Sequence, residues 1–285
     1  MSQLSFASFF DQAREAAPLT PAKPVLPTVN AQPILHRMMT IDQARRQFIS
    51  VFRDTARSLR RWEVFSDFIT LAASELDMAR IRTPENIEQS RKICAKYSES
   101  DISNLHTLFC LMVCALEAKF HDFLGAIFME LELGDDRNGQ YFTPYHVQSL
   151  LARLLMPDVD ETIRREGFVT VSDPASGAAG MIVAYAEYLL EAGYNPSEHM
   201  FGSCIDIDSV AADMAFIQLS LLGIPAEVVT GNTLTMKLNR VRYTPVYYIN
   251  NFGKRLDDQG NDSNLLIVFY VQIMPDDLVM QLHRF

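Results

Sequence analysis

From Phe168 onward the chain alternates compact β-rich runs with apolar helical runs, and that rhythm limits the folds open to it more than any other feature. "FVTVSD" leads through "PASGAAG" into a helical stretch closed by Gly193, and "MFGSCIDID" leads into "SVAADMAFIQLSLLG". "AEVVT" follows and ends in "GNTL", while "PVYYIN" and "LLIVFYV" offer two further strands. Strand, crossover helix and strand in succession predict a parallel α/β sheet, whose ligands bind at the carboxyl ends of the strands.

Upstream the pattern is different. Residues 1–36 hold Pro18, Pro21, Pro24, Pro27 and Pro33 among small residues, which predicts an extended or disordered lead. Residues 37–133 carry helical periodicity and no good strand. Thr40 is a helix cap, and so is Thr83, with Pro84 at the first helical position and Glu85 in the first turn. The run from Ser100 to Leu133 reads as one largely buried helix with a bend near Gly125. The α/β domain then takes residues 134–285, with the place of 244–285 in it left open.

Several classes of function are disfavoured. No continuous apolar run has the length needed to span a bilayer, and the N-terminus lacks the basic start of a signal peptide. Four cysteines without framework spacing predict a reducing compartment, so the expected location is cytoplasmic. A net charge of −10, most of its excess after Gly139, argues against simple electrostatic wrapping of nucleic acid. The stripe Arg46, Arg53, Arg57 and Arg60 reads first as a solvated helix face, and it is also the best contact the chain offers a polyanion. His106, Cys110 and Cys114 share a helical face in the pattern of a metal site, but their apolar surroundings predict burial in the core, and no metal is expected.

Three strand ends form a plausible site. Asp173-Pro174-Ala175-Ser176-Gly177-Ala178-Ala179-Gly180 leaves a strand and enters a helix with little side-chain bulk, so a ligand can come close to exposed amide donors. Asp206 ends the second strand, where a carboxylate can accept from both ribose hydroxyls. Asn232 follows the third, placed to read a base. Each alone is explained by a tight turn, a helix cap or a turn asparagine. Three on consecutive strand ends favour a shared ligand.

With "NGQYFTPYHV" ahead of these elements, the sequence resembles the adenine-N6 DNA methyltransferases, especially modification subunits of type I restriction–modification systems. "GQYFTP" is similar to the family's G-x-[FY]-[FY]-T-P, "DPASGAAG" to D-P-A-C-G-S-G-G, and "GNTL" to G-D-T-L. The resemblance implies a helical N-terminal domain joined to a Rossmann-like domain that binds S-adenosylmethionine. The cofactor residues it implies are Tyr141, Phe142, Thr143, Asp173, Pro174, Ala175, Ser176, Gly177, Gly180, Asp206, Ile207 and Asn232. It also implies DNA as substrate, with a separate DNA-specificity or partner subunit. Ala179 replaces a loop glycine and requires an unstrained backbone there, and Asn232 replaces an aspartate. The catalytic N-P-P-[FY] is missing, and "YYINNFGKR" stands nearest to it, making Asn250 the expected acceptor and Phe252 the expected stacking ring. Two functions follow: an adenine-N6 methyltransferase, or a methyltransferase-fold binding or regulatory protein that has lost the chemistry.

Overall fold

The computed structural model describes residues 39–133, 142–155, 159–235, 237–259 and 265–267. The proline-rich lead, Tyr141 and most of the chain after Gln259 lie outside the described residues.

The helical part begins with α1 (Ile41–Asp54), where Thr40 accepts from the Gln43 N–H and the Gln43 side chain accepts from the Thr40 N–H. It continues with α2 (Arg61–Leu76), α3 (Pro84–Cys94), capped by Thr83, and α4 (Glu99–Ala118), capped by Ser98. Phe48, Phe52, Phe65, Phe68 and Phe123 form its centre, with Phe48 edge-on to both Phe68 and Phe123. Among the described residues α4 alone has the length and apolar character to cross a bilayer. Its Leu105, Leu108, Met112, Ala115 and Leu116 are buried, and by that one face the helix packs along α1.

The opposite face of α4 corrects one expectation. Cys110 and Cys114 are exposed, because they fall on the other side of the helix from the Leu105–Met112 stripe. The expected continuous helix is also divided. α4 ends at Ala118, and α5 (Phe123–Glu130) starts afresh at Asp122, whose carboxylate accepts from the Gly125 N–H at 2.9 Å. A β-carbon on Gly125 would lie 2.2 Å from that carboxylate. The glycine thus makes room for the cap, where a bend in one long helix was expected.

The second part contains α6 (Tyr145–Leu155), α7 (Val159–Glu166), β1 (Val169–Asp173), α8 (Gly180–Glu191), the short α9 (Pro196–His199), β2 (Met200–Asp206), α10 (Ser209–Leu221) and β3 (Ala226–Asn232). β4 (Lys237–Tyr243), α11 (Pro245–Ile249), α12 (Phe252–Gln259) and β5 (Leu265–Ile267) complete it. The sheet order is β4-β3-β2-β1-β5, parallel throughout except for β4, which runs antiparallel to β3. This is the expected mixed α/β architecture with helices ahead of it.

β4 was not legible as a strand, because its inward-facing positions are arginines. Arg240 and Arg242 both donate to Asp213 on the buried α10, and the Arg242 guanidinium lies 4.3 Å over the Phe216 ring. "PVYYI" was expected to be a strand and is a helix, with Thr244 extended as its cap and Pro245 in its first turn.

The segment from Thr244 to Gln259 runs beneath the sheet, along the amino ends of its strands. Thr244 bonds Ile224 and Ala226 at the start of β3, and Asn250 donates to the Ser197 carbonyl just ahead of β2. Phe252 packs against Phe168, at the start of β1, and against Phe201. This belt carries the chain from one side of the sheet to the other, where β5 pairs with β1.

One hydrophobic core runs from Phe48 in α1 to Val228 in β3. At its centre is Gln218 of α10, fully buried. Its Nε2 donates to Asp122 at 2.9 Å and to the Ala178 carbonyl at 2.7 Å, and its Oε1 accepts from the Leu124 N–H at 2.9 Å. Burial pushes the Asp122 carboxyl up to about 6, against the pull of Gln218 and the Gly125 N–H. Replacing the amide by a leucine, Gln218→Leu, leaves Leu124, Ala178 and Asp122 short of partners. The expected loss is about 3 kcal/mol or more, read as a lower urea midpoint with an unchanged slope.

Candidate functional site

The site lies at the carboxyl ends of β1, β2 and β3, and its floor is the loop from Asp173 to Gly180. Each strand end holds this loop. The Ser176 N–H donates to the Ile205 carbonyl at 3.0 Å, and the Gly177 N–H donates to Asp206 Oδ2 at 2.8 Å. From β3, the Thr233 hydroxyl donates to the Pro174 carbonyl at 2.6 Å. Thr233 was not singled out in the sequence, although it follows Asn232 in "GNTL".

The two sequence elements that lie far apart meet here. A β-carbon on Gly177 would stand 2.6 Å from the Phe142 ring, so the aromatic residue of "FTP" rests on bare backbone. Gly177 has φ +52°, a conformation that itself favours glycine. Phe142 is anchored from behind: its ring is edge-on to Phe128 of α5 at 5.0 Å, and its N–H points at the Met129 sulfur. The helical part therefore sets the position of the lid-like Phe142 over the loop. Thr143 follows it, half-buried.

Asp206 Oδ1 also accepts from the Asp208 N–H at 2.9 Å, so both carboxylate oxygens are oriented by backbone donors. The carboxylate is only partly buried, at the strand end where a ribose hydroxyl could reach it. Beside it Ile207 is 68% exposed, and across the mouth Leu234 is 95% exposed, two apolar side chains flanking the ends of β2 and β3. Asn232 Oδ1 accepts from the Thr235 N–H at 3.0 Å, the turn role weighed for it, and retains one lone pair and its amide donors. Asp173 is almost fully buried and accepts from the Ala175 N–H at 3.1 Å. Burial, with a smaller contribution from the Asp206 charge, pushes its carboxyl up to about 7; Asp206 is also raised, chiefly by burial.

Two expectations for the site need correction. Ala179 has φ +66° and caps α8 in the left-handed region, so its backbone is strained where an unstrained one was required. Asn250 and Phe252 are not brought to the pocket. Asn250 is committed to Ser197, and Phe252 is completely buried beneath the opposite ends of the strands. Their residue types and their place after "GNTL" pointed to them; the intervening antiparallel β4 reverses the chain direction and carries it away.

The four arginines of the α1–α2 region are exposed, with Arg57 paired to Asp54. Two neighbouring arginines have structural roles: Arg45 pairs with Glu130, and Arg61 donates to the carbonyls of Phe52, Thr55, Ala56 and Leu59.

Residues 128–253 match the model of the N-6 DNA Methylase family. No curated protein sequence matches the chain. Among solved structures, one similar chain is a class I S-adenosylmethionine-dependent methyltransferase from Listeria monocytogenes, at 18% identity and a TM-score of 0.40 over 68% of this chain and 55% of that one. Another is a type I restriction–modification methyltransferase subunit from Streptococcus thermophilus, at 12% identity and a TM-score of 0.32 over 65% of this chain and 56% of that one. The chain thus spans little more than half the length of either.

The raised carboxyl of Asp173 sets a pH dependence. An acid whose folded pKa lies above its unfolded value, about 3.9, stabilises the fold fully below that value. The contribution is lost as pH rises through about 7. Asp173→Asn removes this titration. Chemical denaturation between pH 5 and pH 8 should show the wild type gaining on the variant as pH falls, by roughly 2 kcal/mol or more at 1.36 kcal/mol per pKa unit.

Proposed function

We infer that this chain, whose residues 128–253 match the N-6 DNA Methylase model, belongs to that family and binds S-adenosylmethionine across the carboxyl ends of β1, β2 and β3. The observation that carries the reading is the convergence on Gly177. Phe142 covers it from above, and Asp206 holds its N–H from the side. In this reading the loop 173–180 lies against the amino-acid and sulfonium end of the cofactor, and Asp206 accepts from the ribose hydroxyls. Ile207 and Leu234 enclose the adenine, and Asn232 reads its edge. Asp173 presents a poorly solvated carboxyl to a ligand with a positive sulfonium, which favours its ionised form. Tyr141, implied by the resemblance, lies outside the described residues.

When bound, the cofactor supplies an activated methyl group. The protein's own work is to orient that group and exclude water, with Phe142 as cover and the helical part as its support. We propose DNA as the substrate and the adenine exocyclic amine as the acceptor, with the family match as the support for both. Delivery of DNA by a further subunit belongs to the same proposal, since the exposed arginine stripe of residues 46–60 is the chain's modest basic surface.

A second reading, cofactor binding without transfer, is favoured by one observation. No N-P-P-[FY] occurs in the 285 residues, and the nearest substitute side chains lie beneath the amino ends of the strands, at the end of the sheet opposite the pocket. Calorimetry with S-adenosylhomocysteine tests the shared part. Binding is expected in the wild type and at least about tenfold weaker in Asp206→Ala, where one charge-assisted hydrogen-bond acceptor is lost. Absence of binding at millimolar ligand would overturn both readings.

The two readings separate in a radiolabelled methyl-transfer assay on mixed-sequence DNA. Transfer by the chain alone is expected to be weak or absent. Robust transfer would decide for the enzyme. Phe252→Ala is expected to cost about 3–5 kcal/mol of stability, as a buried aromatic does, and to leave cofactor affinity in the folded fraction unchanged.

A further inference from the structure

Gln148 stands in the second turn of α6, four residues after Pro144, and only 5% of it is exposed. Its Oε1 is buried without a hydrogen-bond partner among the described residues. A buried amide left unpaired is costly, whereas a leucine or methionine of similar length would fill the same space without that cost. Which end of the amide faces which way is a matter of a χ3 flip; in either orientation one polar end lies buried and unpaired.

The amide rests on Gly180. A β-carbon there would meet Oε1 at 2.2 Å, Nε2 at 2.5 Å and Cδ at 2.7 Å. Gly180 is the first residue of α8 and the last of the loop whose Gly177 lies under Phe142. The segment that begins with "FTP" therefore touches the loop at two points three residues apart. Phe142 covers one with an aromatic ring, and Gln148 covers the other with a donor–acceptor pair. Beside that amide are the free N–H groups at the start of α8, which favour an anion. A ligand suited to this corner carries a carboxylate for the N–H donors and an ammonium for a carbonyl oxygen.

We propose that Gln148 is a positioning residue for the α-amino and α-carboxylate groups of the cofactor. Its amide fixes the methionine end and so the direction of the sulfonium methyl. The proposal rests on the cofactor reading above and goes beyond it, because nothing in the motif pattern singles out this position. The residue type is informative in itself. An amide can donate to the carboxylate and accept from the ammonium of a zwitterion without a change of protonation.

The test compares two ligands by calorimetry on the full chain. S-adenosylhomocysteine carries the amino-acid group, and 5′-methylthioadenosine keeps the nucleoside and thioether without it. Gln148→Leu is expected to weaken S-adenosylhomocysteine about ten- to hundredfold, the worth of hydrogen bonds to charged groups. Its affinity for 5′-methylthioadenosine should stay within about twofold of the wild type by the same account, since no bond to that ligand is lost. Gln148→Met provides the same comparison if the leucine variant folds poorly. Equal losses for both ligands, or no loss for either, would mean that Gln148 only fills space, and the proposal falls. Wild-type protein that binds neither ligand would remove the cofactor reading, and this inference with it.

Discussion

The hydrogen bonds of Gln218 are the constraint on which the rest of the structure depends. One buried amide faces the cap of α5, the first turn of that helix and the carbonyl of Ala178 in the glycine loop. Each of these groups would be expensive to bury alone, and the amide satisfies all three. The arrangement fixes α5 relative to the loop. Because α5 supplies Phe128 and Met129 to Phe142, it also fixes the aromatic cover relative to the floor beneath it. Two stretches of chain separated by more than thirty residues are aligned through a third partner that touches both.

Much of the α/β part was legible in the sequence, for a simple reason. The strand runs at β1, β2 and β3 are followed by short polar or glycine-rich turns and by apolar helices, so local pattern and tertiary environment agree there. The acidic residue at the end of β2 and the loop after β1 were found because small or charged residues at strand ends stand out against apolar runs. The helix caps at Thr40 and Thr83 were found for a similar reason: their chemistry is local.

What could not be read depends on partners distant in sequence. β4 hides its inward face behind arginines that require Asp213 of α10 to make sense. Gln218, Asp122 and Gln148 are ordinary polar residues until the chain folds around them. Asn250 and Phe252 show the opposite error. Their residue types suited the chemistry, but a single antiparallel strand before them sends the chain to the other side of the sheet. Position along the sequence is a poor guide to side of the sheet wherever an unexpected strand intervenes.

The belt from Thr244 to Arg255 has a mechanical consequence. It is bonded or packed against the starts of β1, β2 and β3, through Thr244 to Ala226, Asn250 to Ser197, and Phe252 to Phe168 and Phe201. At the other ends the strands are joined across the loop by a few hydrogen bonds, those from Thr233, Gly177 and Ser176. Stiffness is therefore graded along the strands. Low-energy breathing of such a sheet concentrates where polar contacts are few and apolar packing is thin. A fan clamped at its base opens at its rim, and here the rim is the pocket.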